Sequence, residues 1–290
     1  MRKSRLLLCL ACLGPLWAGA HEFRLQAAAS WVENISRTSF EPTAKDAAVF
    51  TADGAFSHVN PFAPGWTAIL SAEGGIEHVP EFRPLDRASL TLRGALRKKF
   101  GLGPLAPVAD ISLALVRSEF DESGRSGWRS EGTLSLGKRI TETWRVTASA
   151  SWESYSAARA PLDTHQRRLG LETAWDVTDR WRLGAGGSRL HGQLTANAAW
   201  FVWSQAISGG FGPVVNTYYN SIPWAVTDTF GPGWVAYRVD CRTDFLWGET
   251  SFAWSDDTRI TLRRESVKVV NRIGVRYDSE IWSLGFVHRF

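Results

Sequence analysis

The chain has 290 residues with 33 basic and 29 acidic side chains, a formal net charge of +4, and an unusual 15 tryptophans and 26 glycines. Arg2, Lys3 and Arg5 stand ahead of the apolar stretch from Leu6 to Trp17, so removing residues 1–20 would bring the net charge to about +1. The basic balance is then no argument for a nucleic-acid partner. It would also remove Cys9 and Cys12, leaving Cys241 as a lone thiol with no internal disulfide partner.

Residues 1–20 read as a secretory signal: a basic start, an apolar core too short to span a bilayer, then Ala18-Gly19-Ala20 with cleavage expected before His21. After it, no apolar run approaches the ~20 residues of a transmembrane helix. Any membrane-spanning part of residues 21–290 must therefore be built from strands.

Period-two alternation over 9 to 13 residues recurs along the rest of the chain, a length that suits tilted strands crossing a bilayer. Leu90, Leu92 and Leu96 oppose Thr91, Arg93 and Arg97; Val146, Ala148, Ala150 and Trp152 oppose Arg145, Thr147, Ser149 and Glu153. A soluble sandwich alternates too, so the turns carry more weight. The tight polar connections Thr141-Glu142-Thr143 and Thr178-Asp179-Arg180 are each followed at once by Trp, whereas the connections at 120–127 and 157–163 are longer. Tryptophans fall at expected strand ends (Trp31, Trp66, Trp144, Trp152, Trp175, Trp181, Trp234, Trp254, Trp282), where an indole can sit at headgroup depth.

Residues 195–232 break the pattern, because Asp228 is the only charged side chain among 38 residues rich in aromatics. So long a connection is functional or disordered, and disorder does not fit its aromatics. Two readings stand open: a loop folded inward to narrow a pore, with Trp200, Trp203, Phe211, Tyr218, Tyr219 and Trp224 as its constriction, or a hidden strand pair near 200–205.

The chain finishes on Trp282, Leu284, Phe286, His288 and Phe290, all on one face of a last strand. A terminal Phe closing such a strand resembles the assembly signal of bacterial outer-membrane β-barrel proteins, with His288 where that class often has another aromatic. The resemblance implies an all-β, transmembrane, antiparallel up-and-down barrel in the outer membrane, with outer-membrane lipids and the barrel-assembly machinery as partners. Trp282, Leu284, Phe286 and Phe290 are the residues it points to as that signal.

Strand number must be even in such a barrel. Spans near 22–33, 47–58, 66–77, 88–99, 110–119, 129–140, 144–156, 165–177, 181–194, 233–242, 245–255, 258–264, 267–277 and 280–290 make fourteen. The ambiguous place is 258–277, where apolar positions change phase between Leu262 and Val267. A turn near Arg264 gives fourteen strands; a bulge there, with other strands reassigned, gives twelve.

The expected inward face carries Arg93, Arg97, Arg145, Arg168, Arg182, Arg259, Arg263, Lys268, Arg272 and Arg276, outnumbering acids such as Glu131, Glu153 and Glu249. Charges facing lipid at mid-depth would cost ~2 to 4 kcal/mol each, so an aqueous lumen is their economical place. The functional expectation is a passive channel for small polar solutes with a preference for anions. The alternatives are a closed barrel with a surface binding or assembly role and, behind it, a rim hydrolase using one of His58, His78, His165 or His191. No cofactor, metal set or phosphate loop is expected: Gly101-Leu102-Gly103 and Gly209-Gly210-Phe211-Gly212 read as turns, and Cys241 lacks partners at ligand spacing.

Overall fold

A computed structural model describes residues 19–290, so the expected signal peptide lies outside the described residues except for Gly19 and Ala20. Twelve antiparallel strands close into a ring: β1 (Ala20–Val32), β2 (Ala47–Ala63), β3 (Trp66–His78), β4 (Arg87–Lys99), β5 (Val108–Phe120), β6 (Gly127–Arg139), β7 (Trp144–Ala157), β8 (Thr164–Asp176), β9 (Trp181–Ala199), β11 (Trp234–Ala253), β12 (Thr258–Asn271) and β13 (Arg276–Arg289). Two helices, α1 (Trp200–Ser208) and α2 (Pro213–Ser221), and the short strand β10 (Trp224–Thr227) lie between β9 and β11. The ring closes where β1 pairs with β13, from Arg24 opposite Arg289 to Val32 opposite Ile281, with Ser30 and Ser283 hydroxyls 2.8 Å apart across the seam. Closure leaves no unpaired edge in the ring.

The outward phase of each strand supplies the apolar belt: Leu70, Ile76, Leu92, Leu113, Leu134, Leu169, Leu171, Leu246 and Leu284 are all more than half exposed. Trp66, Trp144, Trp175, Trp181 and Trp254 mark the end that carries both chain termini; Trp31, Trp128 and Trp282 lie toward the other. Trp234 does not join either girdle, since it is 6% exposed and packs beside Phe230. Connections at the terminal end are 64–65, 100–107, 140–143, 177–180 and 254–257, and those at the loop end are 33–46, 79–86, 121–126, 158–163, 200–233 and 272–275. Where Trp152 crosses to β6 it lies flat against Gly132, which a Cβ would displace, so the glycine is a seat for the indole.

Twelve strands, not fourteen, form the ring because two expected turns are continuous strand. β11 runs unbroken through Arg242-Thr243-Asp244, with Thr243 fully buried on the inward phase and Arg242 and Asp244 on the outward one. β12 runs through Arg264 with no bulge. Its apolar positions change phase because its inward face has two environments. Arg263 and Glu265 look into the charged lumen, whereas Val267 and Val269, two and four residues further on the same phase, meet an apolar plug at the loop end.

Candidate functional site

Seven of the ten expected lumen cations, Arg93, Arg97, Arg145, Arg168, Arg182, Arg259 and Arg263, are on the inward phase of the wall, by the register that aligns them with Ala114, Asp110, Ala174, Leu190, Asp176, Val287 and Glu249. The other three are not there. Lys268 and Arg276 occupy the outward phase, level with Asp244 and Val270 of the neighbouring strands, and Arg272 sits in the 272–275 turn, exposed and 3.4 Å from Asp240. The expected turn near Arg264 had shifted the alternation by one residue, which exchanges the two faces.

Most inward charges are paired across strands. Arg97 meets Asp110 at 2.7 Å, Arg93 meets Glu131 at 3.3 Å, Arg182 meets Asp176 at 2.5 Å, Arg24 meets Glu73 at 3.3 Å, and Arg263 reaches both Glu265 and, at 3.8 Å, Glu249. Two guanidinium groups lie over rings: Arg168 is 4.1 Å from the centre of Phe245, and the ion-paired Arg263 is 4.4 Å from that of Trp247. Trp247 can lie along the wall because Gly186 opposite it has no side chain; a Cβ there would come within 2.6 Å of the indole.

At the terminal end these residues border a cavity of about 460 Å³, lined by Arg24, Arg145, Arg182, Arg259 and Arg289 together with Glu172, Glu249, Asp256 and Asp257. Arg145 and Arg259 form no ion pair among the described residues. Arg24, Arg182 and Arg289 are held by Glu73, Asp176 and Glu22, so the cations left without an ion pair in the vestibule are Arg145 and Arg259.

The loop end is closed over by residues 200–233. Trp203 and Tyr219 are buried with Val235, Tyr237, Val239, Val269 and Tyr277 from the inward faces of β11, β12 and β13. Trp203 lies tilted against Tyr237, ring centres 4.8 Å apart, and against Trp224 at 5.6 Å, and the Tyr277 hydroxyl lies 3.1 Å from that of Tyr219 and 3.4 Å from that of Tyr237. Tyr218 packs edge-on against Tyr219 at the margin, while Trp200 and Phe211 are about half exposed. Residues 200–205 are helical, so the expected strand pair is not there: β9 continues only to Ala199, opposite Trp234 of β11, and beyond it the two helices fold over the mouth.

Beyond the cluster the segment crosses the mouth. Phe40 of the 33–46 loop meets Phe201; Phe82 of the 79–86 loop meets Phe230 at 5.0 Å; Arg159 donates to the Val226 carbonyl at 3.1 Å. In the ring order the 79–86 loop is diametrically opposite the β9–β11 hairpin, so this one connection spans the full width.

A second anchor is Glu122 in the 121–126 loop, whose carboxylate meets Arg125 at 2.8 Å and Arg159 at 3.8 Å and accepts from the hydroxyls of Thr227, at 3.1 Å, and Thr229. Burial alone would raise this carboxyl, but Arg125 and the threonine hydroxyls outweigh it and hold its pKa below the ordinary value. Nothing in the spacing of Glu122 pointed to it, because the threonines it fastens are about a hundred residues away.

A group with a depressed folded pKa contributes stability above its unfolded value, about 4.3 for Glu, and loses it as pH falls through the folded value. Acidifying the protein below about pH 4 should therefore loosen residues 224–231. Glu122→Gln should do so at neutral pH, with backbone amides there exchanging roughly tenfold faster, as expected for losing ~1.5 kcal/mol of charge-assisted bonding. Unchanged exchange in both cases would show that the aromatic contacts alone hold the segment.

Among the described residues no group of His, Cys, Asp and Glu is arranged to hold a metal. The histidines are dispersed: His78 meets Asp86 at 2.8 Å, His58 lies 3.4 Å from His21, and His165 lies 2.9 Å from the Ser154 hydroxyl with no carboxylate bonded to its ring. His191 is exposed on the outward phase of β9.

A closed antiparallel ring with an apolar outer belt, aromatic margins and a polar interior is a transmembrane β-barrel, the form found in bacterial outer membranes. Within that class its fold is porin-like. It is similar to the COG4313 outer membrane channel from Pseudomonas putida F1, with a TM-score of 0.56 at 10% identity over 98% of this chain and 100% of that one. The outer membrane channel DcaP of Acinetobacter baumannii has a TM-score of 0.45 at 6% identity, over 94% of this chain and 97% of its own. No family model and no curated protein matches the chain in sequence.

Proposed function

We propose that the protein is a passive outer-membrane channel for small polar solutes, capped at its loop end and favouring anions at its terminal-end vestibule. The observation that carries this reading is the inward face itself: a wall of charged side chains, largely ion-paired, with Arg145 and Arg259 left without an ion pair at the mouth nearest the termini. A barrel that served only as a scaffold would be expected to fill its interior with apolar side chains, as small barrels do. Here that filling is confined to the loop end. Solute selectivity would then be set by wall charge and by the space left beneath the cap.

The cap is also the observation that favours the second reading, a closed barrel with a surface role. Single-channel conductance in planar bilayers separates them: discrete steps support the channel, and a silent protein that stays silent once the cap is cut away supports the closed barrel. A hydrolase is weaker, since the Ser154–His165 pair lacks an orienting acid.

The last strand is proposed to carry the assembly signal on Trp282, Leu284, Phe286 and Phe290. Phe290 is 67% exposed, its amide donates to the Phe23 carbonyl at 2.9 Å, and its ring lies 5.5 Å from that of Phe23. One side chain so exposed contributes well under the ~3 kcal/mol of full burial. Deleting Phe290 should accordingly lower the yield of membrane-embedded protein several-fold while shifting the unfolding midpoint of the inserted fraction little. Normal yield of heat-modifiable protein would refute the role.

A further inference from the structure

The outward face of β8, β9, β11, β12 and β13 changes character near the loop end. In one row Arg167 is paired with His191 and His191 with Arg242, while Val270 one strand further faces Arg276. In the row below, Arg189 faces Asp244 and Asp244 faces Lys268. Asp244 binds Arg189 at 2.6 Å and Arg242 at 3.5 Å, whereas Arg167, Lys268 and Arg276 form no ion pair among the described residues. Five cations thus face two carboxylates, Asp244 and Asp278, whereas the neighbouring outward charges Arg264 and Glu280 are paired with each other at 3.1 Å. On the opposite wall the outward side chains Ile76, Leu90, Trp128 and Trp152 are apolar, and Arg117, level with Leu90 and Trp128, is neutralised by Glu119.

Depth identifies what such a patch meets. Eight residues separate Trp181 from Arg189 along β9, and at about 3.4 Å per residue and a tilt near 40° that is roughly 20 Å. The patch is therefore at the far margin of an apolar band about 25 Å tall, where charge is tolerated and lipid headgroups lie. From β8 to β13 it crosses four strand spacings, roughly 19 Å, wider than a single phosphate needs. Directly beneath it the wall is recessed into a depression of about 620 Å³ lined by Leu169, Leu171, Gly187 and Leu246, with Arg189 and Lys268 at its border. Gly187 keeps the floor low, since a Cβ there would come within 3.2 Å of the Phe245 carbonyl oxygen.

From this we infer that the β8–β13 face is a binding site for an anionic lipid of the loop-end leaflet, one whose headgroup carries more than one phosphate. The phosphates bridge Arg167, Arg242, Lys268 and Arg276, and an acyl chain lies in the furrow below. Basic clusters at a membrane surface recognise phosphorylated lipids by this charge complementarity, and guanidinium groups add directional bonds to phosphate oxygens. The site is on the outside of the wall and is independent of whether the lumen conducts.

The test is native mass spectrometry of the detergent-solubilised full chain, titrated with bisphosphorylated lipid A, with the same lipid dephosphorylated, and with inorganic phosphate. The wild type should retain one bisphosphorylated lipid and bind the dephosphorylated form at least tenfold more weakly. The triple variant Arg167→Gln/Arg242→Gln/Lys268→Gln should lose at least tenfold in affinity for the phosphorylated lipid. Lys268→Gln alone, at an exposed position with no ion pair to break, should lose about threefold and keeps the test valid if the triple variant fails to fold. Equal retention by wild type and both folded variants overturns the site. Equal retention of the dephosphorylated lipid overturns the phosphate contact, and displacement of the lipid by millimolar inorganic phosphate reassigns the cluster to a free anion.

Discussion

Replacing residues 200–233 by a two-residue glycine linker should raise single-channel conductance at least tenfold while leaving the barrel folded. The ends to be joined are already adjacent, because Ala199 is paired with Trp234 and the Trp200 amide donates to the Gly233 carbonyl at 2.7 Å. The ring itself would lose no strand, since β10 pairs only with β11 on its free side. What is lost is the burial of Trp203 and Tyr219 against Tyr237, Val235 and Val269, on the order of 2 to 3 kcal/mol for each large side chain. That should appear as a lower unfolding temperature, without loss of heat-modifiable migration. The large effect is on the mouth, where one connection now reaches from the β9–β11 hairpin to Phe82 on the opposite side. A deletion that folds and conducts no better than the wild type would place the barrier in the charge-paired mid-lumen instead.

The barrel was legible in the sequence because each strand in the lower two-thirds has one lipid face and one aqueous face, so alternation reports both at once. Arg145 to Trp152 is a clear instance. Legibility failed where the inward environment changes along a single strand. On β12 the apolar residues are outward at Ile260 and Leu262 and inward at Val267 and Val269, and on β11 the inward Cys241 and Thr243 are buried while Arg242 and Asp244 look out. A phase change of this kind resembles a turn, and reading it as one produced two extra strands and moved Lys268 and Arg276 to the wrong face. The loop-end plug causes the change, and its partners are distant in sequence. The aromatic content of 195–232 announced burial, but not that Tyr237 and Tyr277 would complete the cluster or that Glu122 would fasten the far side. Those depend on ring closure, which alternation does not encode.

Charge reversal at the vestibule should turn the ion preference of the pore toward cations, with Arg145→Glu/Arg259→Glu as the decisive pair. Both side chains border the 460 Å³ terminal-end cavity, and neither is held by an ion pair among the described residues, so they are the cations of that wall whose fields are least cancelled by a direct partner. Glu172, Glu249, Asp256 and Asp257 share that wall, and two added carboxylates would leave Arg24, Arg182 and Arg289 outweighed. At an effective dielectric near 20 a unit charge at 4 Å is worth roughly 4 kcal/mol, and screening over about 8 Å at physiological salt confines the effect to a narrow lumen. Low-dielectric walls focus what remains. The reversal potential in a tenfold salt gradient should change sign between the wild type and the double variant, measured in the cap-deleted background if the intact protein conducts too little. Arg272→Glu/Arg276→Glu is the matched control. Arg272 is in the loop-end turn beside Asp240 and Arg276 is on the outward phase, both removed from the vestibule, so that pair should leave the reversal potential where it was. A double vestibule variant that conducts with the wild-type reversal potential would reject the charge argument, and a shift in the control pair would place the selective region at the loop end.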